Sequence, residues 1–331
     1  MRLHIHTESW KLVRPRRLSR GARTETRVIS AMLIPEEGEA DASIRGRGEA
    51  TPSIDYHETV EGALAQLREA AAMLEEGRSM ASILDAMPSG SARNALDCAW
   101  WDWRAKVAGQ RVSELVGWGA LHPLTTAYTI GFDTPEAMEA EARAEAHRPL
   151  LKISTGSEEA IERVAAVRRG APQSQLIVDG HEAWPRANVR KWLEAMAGLG
   201  VVLVEQPLPA GEDDLLARMP RPVPVFADES FHVTGDLDAG LDKYDGVSIK
   251  LDKTGGLTEA LRALERAKSR EKKVLCGCLL GTSLAIAPAM LLAQHADWVD
   301  LDAPMLLQHD QPVAIMYEGS VMQPYPGELW G

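Results

Sequence analysis

From about residue 125 onward the chain repeats one pattern, a short apolar segment followed by a longer amphipathic stretch. The apolar segments begin near Thr125, Leu150, Leu176, Val202, Val223, Val247, Val274 and Trp298, a period of roughly 21 to 27 residues. Between them lie helix-like stretches at 135–147, 157–169, 188–199 and 258–269. Alternation at this period predicts parallel strands joined by crossover helices, because parallel neighbours cannot be linked by a tight hairpin. Eight repeats favour an α/β fold closed as a (β/α)₈ barrel over an open sheet.

The first 120 residues read differently. Segments 27–34 and 42–50 have strand character, and 56–76, rich in Ala, Leu and Glu, is predicted as a helix. Ser91 is placed to cap a second helix, in which Ala92, Ala95, Leu96, Ala99, Trp100 and Trp103 recur at three- and four-residue spacings as a core stripe. Gly117, Gly119 and Pro123 then punctuate the chain. The expected organisation is an α+β capping domain over 1–120, a barrel over 121–304, and a tail from about 305 to 331. No low-complexity linker separates the parts, so they should pack together.

Composition limits what such a chain can serve. With 36 Lys and Arg against 48 Asp and Glu the formal net charge is −12, which argues against a dedicated nucleic-acid binder. The one basic run, at 14–23, is local, and is either a solvated loop or a source of one or two arginines for an anionic group. Three cysteines, two of them spaced C-x-C at Cys276 and Cys278 in an apolar run, suit neither a disulfide framework nor zinc. That spacing would place both on one side of a strand as small hydrophobes. The most apolar stretch, 279–293, is broken by Gly281 and Pro288 and is too short for a membrane span. A cytoplasmic protein acting on a small molecule is expected, and either a monomer or a homo-oligomer is compatible with the sequence.

Three predicted strands end in acids: the third at Asp179, the fourth at Glu205 and the fifth at Asp228. Barrel active sites lie at the C-terminal ends of strands. Neighbouring strands are about 4.8 Å apart, so three successive strand ends can aim carboxylates at one point. Unpaired, they would repel and raise one another's pKa values, whereas a hard divalent cation would relieve the conflict. An all-oxygen set without His or Cys favours Mg²⁺ over zinc. Any single acid among them would equally suit a salt bridge with an arginine.

Lys250 closes the sixth strand and Lys152 lies near the end of the second, on opposite sides of the acidic trio. A lysine beside a bound cation has its pKa lowered and can act as a base. With a metal holding a carboxylate or carbonyl substrate, the residues describe proton abstraction through an enolate. The simpler role for either lysine is a structural ion pair.

Over nearly its whole length the chain resembles the dipeptide epimerases of the muconate-lactonizing subgroup of the enolase superfamily. The resemblance is carried by residues 91–99 (SARNALDCA), 205–209 (EQPLP), 227–230 (ADES), 249–257 (IKLDKTGGL) and Asp300-Leu301-Asp302. It implies Asp179, Glu205 and Asp228 as Mg²⁺ ligands and Lys250 as one acid/base. It further implies that Asp300 and Asp302 receive a dipeptide's ammonium group, that Arg23 in an N-terminal loop holds an acidic substrate side chain, and that the tail returns to the N-terminal domain.

Three positions depart from the family pattern. The end of the second strand reads Lys-x-Lys in the family, the second lysine being the other acid/base, and here that position is Ser154. His181 stands where Asn is usual, either hydrogen-bonding behind the metal ligands or acting as a base aimed at the substrate, and Arg16 stands where an apolar residue is usual. A serine cannot do a lysine's task unaided. The readings left open are epimerisation with another second base, one-base elimination or cycloisomerisation through Lys250, and ligand binding without turnover.

Overall fold

The computed structural model describes residues 1–18, 21–36 and 43–331, the side chains at 16–18, 21 and 22 excepted. Arg16 and most of the 14–23 basic run therefore lie, as side chains, outside the described residues. Strands Arg2–Leu18 and Gly21–Ile34 pair antiparallel as a long hairpin, and Gly46–Ala50 adds a third strand. The second half of this hairpin was expected from the sequence, and its first strand was not. In that strand half-buried residues alternate with exposed polar ones such as Arg2, His4 and His6, which weakens the apolar signal.

Helices Val60–Glu75 and Ser91–Ala108 cover one face of this sheet and share a core with it that includes Ile29, Leu33, Leu67 and Leu96. Thr59 caps the first of them through its side chain. Ser91 does not cap the second, as its sequence position had suggested. It is the first helical residue; Gly90 holds the cap position, and its missing side chain is replaced by Glu58, whose carboxylate accepts from the Ser91 N–H at 2.8 Å.

Eight parallel strands follow, hydrogen-bonded in chain order: Tyr128–Ile130, Leu150–Ser154, Gln175–Asp179, Val201–Glu205, Val225–Ala227, Gly246–Ile249, Lys273–Gly277 and Trp298–Asp300. The ring closes where the Ala127 N–H donates to the Val299 carbonyl at 2.8 Å and the Leu301 N–H donates to Thr126 Oγ1 at 2.7 Å. Strand alternation sorts the side chains. Leu151, Val178, Val204, Val247 and Val274 face the helical layer, while Leu150, Ile177, Leu203, Phe226 and Leu275 fill the barrel floor. Two residues beyond those floor positions, on the same inward face, stand Lys152, Asp179, Glu205, Asp228 and Gly277.

The helical layer is less regular than eight equal repeats. The return after the fourth strand holds the 3₁₀ turn Asp214–Arg218, and the eighth strand leads into another at Ala303–Leu306. Cys276 and Cys278 do not act as an equivalent pair. The strand ends between them at Gly277, so Cys276 is buried with its thiol toward the Ala289 carbonyl while Cys278 reaches the central pocket. The tail packs on helix Ser91–Ala108: Trp330, fully buried, donates to the Cys98 carbonyl, and the Gly331 N–H donates to Asp102. Among the described residues no helix is long and apolar enough to cross a membrane.

Candidate active site

The strand register brings the acids together. Ser154 pairs with Asp179, Asp179 with Glu205, and Glu205 with Phe226, two residues before Asp228. Asp179, Glu205 and Asp228 are fully buried and each offers an oxygen within 4.8 Å of the others. Gly180 makes the approach of the third and fourth strand ends possible, since a Cβ there would lie 2.7 Å from Pro207 Cα. Immediately beyond the strands His181, Glu182 and Gln206 all take positive φ (44°, 61° and 30°), a left-handed cluster of non-glycine residues. Such conformations are held by surrounding bonds and gather at functional sites. Here Gln206 supplies the bonds, accepting from the Asp228 and Ser230 N–H groups and donating to the Leu208 carbonyl.

Three lysines meet these acids. Lys250 Nζ lies 2.5 Å from Asp228 Oδ2 and 3.7 Å from Glu205. Lys152 Nζ lies 2.7 Å from Glu205, 3.0 Å from Asp179 and 2.8 Å from Asp300. Lys253, fully buried, ion-pairs with Asp228 and donates to the Phe231 and Ser248 carbonyls. Burial opposes the charge on Lys250 and Lys152, but the facing carboxylates outweigh it and hold both well above the ordinary lysine range. The protein groups alone thus keep Lys250 charged, and the lowering that a base requires depends on a cation sharing those carboxylates.

The acids are pushed apart in the same field. Burial and Asp179 raise Glu205 to about 7, and burial with Asp228 raises the adjacent Glu229 to about 9. Against the cost of burial, the Lys250 and Lys253 ammonium groups hold Asp228 far below the usual carboxylate range. Asp179 Oδ2 and both Glu205 oxygens are buried without a well-directed hydrogen bond, Lys152 being the close cation. Buried carboxylate oxygens left with vacant lone pairs on two adjacent strands, with the Asp228 carboxylate within 4.8 Å of both, fit a hard divalent cation.

On the opposite side of the ring from the sixth strand, Ser154 Oγ lies 3.2 Å from His181 Nε2. His181 Nδ1 lies 3.3 Å from Asp179 Oδ1, and the His181 N–H donates to that same oxygen at 3.0 Å. Two of the three departures from the family pattern therefore touch. Arg23, Lys152, Ser154, His181, Lys250, Asp300 and Asp302 line one pocket together with Asp179. Asp302 accepts from the Thr129 N–H at 2.7 Å, and Asp300 is paired with Lys152. With Glu205 and Asp228 each offering an oxygen within 4.8 Å of Asp179, the side chains singled out in the sequence lie around this one pocket.

Three groups were missed. Tyr56, from the capping domain, accepts from Lys250 Nζ and donates to Asp228 Oδ2, each at 3.0 Å. Lys253 and Glu229 complete the set. Both sit in segments already singled out, one turn after Lys250 and next to Asp228, so spacing could have found them; nothing near Tyr56 in the sequence marks it.

Residues 1–117 match the mandelate racemase/muconate lactonizing enzyme N-terminal domain, and residues 136–323 match the enolase C-terminal domain-like family. The chain belongs to the mandelate racemase/muconate lactonizing family of the enolase superfamily. It is 38% identical over 315 residues to the L-Ala-D/L-Glu epimerase of Escherichia coli, covering 95% of this chain and 96% of that one. It is 39% identical over 294 residues to an N-acetyl-D-glutamate racemase of a Pseudoalteromonas species, covering 88% of this chain and 93% of that one. An enolase family member from Agrobacterium tumefaciens with homology to dipeptide epimerases, solved with sodium and L-Ala-L-Glu, superposes with a TM-score of 0.94 at 42% identity, over 99% of both chains.

Proposed function

We propose that this chain is an isomerase that epimerises a dipeptide of the L-Ala-L-Glu kind by removing and returning its α-proton. The observation that carries this is the convergence, in one pocket, of three cation-binding carboxylates with acid/base groups from opposite strands of the barrel. Asp179, Glu205 and Asp228 hold Mg²⁺, which supplies, when bound, the positive charge against which an enolate can form. Lys250, on the sixth strand, exchanges the α-proton on one face of the substrate.

Inversion requires a second group on the other face. The second strand lies across the ring from the sixth, and there Ser154 hydrogen-bonds His181, whose far nitrogen faces Asp179. We assign proton delivery on that face to the Ser154–His181 pair. Lys152 is less suited, because its ammonium is held by Asp179, Glu205 and Asp300 together, at 2.7 to 3.0 Å. Asp300 and Asp302 receive the dipeptide's ammonium group, and Arg23 holds its acidic side chain. The substitution at Ser154 also favours one alternative, one-sided elimination or cycloisomerisation through Lys250 alone.

Chiral separation of products from L-Ala-L-Glu with Mg²⁺ decides between them. Accumulation of L-Ala-D-Glu supports epimerisation; an isotopically exchanged but uninverted substrate would establish one-sided chemistry instead. His181→Asn should lower the rate of inversion about 100-fold or more, the usual scale of a lost general acid/base. Equal rates in both proteins would remove His181 from the reaction.

A further inference from the structure

Two buried carboxylates stand outside the cation cluster, one on each side of the junction between the capping sheet and the barrel. Glu49, in strand Gly46–Ala50, is 1% exposed and reaches into the barrel. It accepts from the Thr282 N–H at 2.7 Å through one oxygen and from the Thr282 hydroxyl at 2.7 Å through the other. Gln311 donates to the same pair of groups, at 3.4 Å to Glu49 and 3.2 Å to Thr282. Asp252, in the turn Leu251–Thr254 after the sixth strand, reaches the other way. Its Oδ1 accepts from the Thr51 N–H and from Asn94 Nδ2, both at 3.0 Å and both in the capping domain.

Among the described residues neither carboxylate has a cationic partner within ion-pair distance. A buried carboxylate without one is costly, so hydrogen bonds to fixed donors are what each contributes. Those bonds converge on a short piece of the pocket wall. Thr51 is gripped at its N–H by Asp252, while its hydroxyl donates to the Leu280 carbonyl at 3.0 Å; Thr26 donates to that carbonyl at 2.8 Å. Leu280 is followed by Gly281, where a Cβ would lie 3.2 Å from Glu49 Oε1 and 3.3 Å from Thr51 Oγ1, and then by Thr282. Thr51, Leu279 and Leu280 line the substrate pocket, while Glu49 and Asp252 do not.

We propose that Glu49 and Asp252 are positioning residues that fix this wall of the substrate pocket by locking Thr51 of the cap against Leu280 of the barrel. The lock governs how tightly substrate is held, while the cation cluster and Lys250 act without it. The link to substrate rests on the function proposed above; the lock itself does not.

Two measurements on the full chain test it separately. Amide hydrogen exchange on the unliganded protein should show Glu49→Ala losing protection at Leu280–Thr282 and at Thr51 together, and Glu49→Gln, which can still accept from the Thr282 N–H, keeping most of it. Loss confined to residue 49 and its sequence neighbours would overturn the lock. In calorimetry with Mg²⁺ and L-Ala-L-Glu, Glu49→Ala should weaken dipeptide binding about tenfold, the scale of a lost hydrogen-bond pair, with Mg²⁺ affinity within about twofold of the parent. Unchanged dipeptide affinity, or a parallel loss of Mg²⁺, would contradict the assignment. Should Glu49→Ala fail to fold, Thr282→Val removes one of the two bonds, and both readouts should move in the same direction by a smaller amount; no movement would overturn the lock. Failure of the parent protein to bind the dipeptide would count against the proposed function, leaving the exchange measurement to decide the lock.

Discussion

Ser154 and His181 each look, taken singly, like damage to an epimerase site, yet their side chains are 3.2 Å apart and the histidine leans on Asp179. A lysine carries its own proton to the substrate, whereas a serine needs a neighbour that can hold one, and in the proposed reaction the imidazole would be that neighbour. Restoring only half of the family pattern should therefore fail: Ser154→Lys with His181 retained sets an ammonium beside the imidazole and should invert substrate more slowly than the double change Ser154→Lys/His181→Asn. Stopped assays on both proteins check this. Lys250→Met should abolish exchange on its face, an expected loss of at least about 100-fold. Asp179, Glu205 and Asp228 were legible because an inward-facing acid breaks an apolar run two places after a floor residue, and Lys250 because it ends the short run of the sixth strand. Tyr56 was not, because what makes it functional is a contact 194 residues away in the chain.

The strands themselves were legible to within about three residues at their starts, since each apolar run is buried on both faces. The hairpin's first strand was lost because it is buried on one face only, and Ser91 was misjudged because a distant carboxylate does the capping. At this scale Gly180 is the decisive position, a residue between the metal-site strand end and His181 with Pro207 pressed against it. Gly180→Ala must push the third and fourth strand ends apart. Overpacking of this kind costs on the order of 1–3 kcal/mol, and Mg²⁺ affinity should fall about tenfold, by calorimetry, because two of the three carboxylates move with the strands.

For the whole molecule the question is what holds cap, barrel and tail in one arrangement. The tail ends in Trp330, buried against the Cys98 carbonyl, and Trp330→Ala should cost about 3–5 kcal/mol in denaturant unfolding. The junction at Glu49 adds a pH dependence. Burial raises Glu49 to about 7, against the Thr282 bonds and with Asp310 and Glu8 adding to the rise. A carboxyl raised on folding favours the folded state below its unfolded value and loses that contribution as pH rises toward 7. The parent protein should therefore lose stability relative to Glu49→Gln between about pH 4.5 and pH 7, by on the order of a few kcal/mol across that window. Thermal melts of the two proteins over the same range read the difference.

At the centre of this account, one pocket moves a proton on and off a dipeptide α-carbon from both faces. Proton NMR of L-Ala-L-Glu incubated with the Mg²⁺-loaded protein in D₂O tests it directly. Loss of the glutamate α-proton signal together with growth of the L-Ala-D-Glu resonances is the predicted result. An α-proton signal that persists unchanged across related dipeptides would contradict the account.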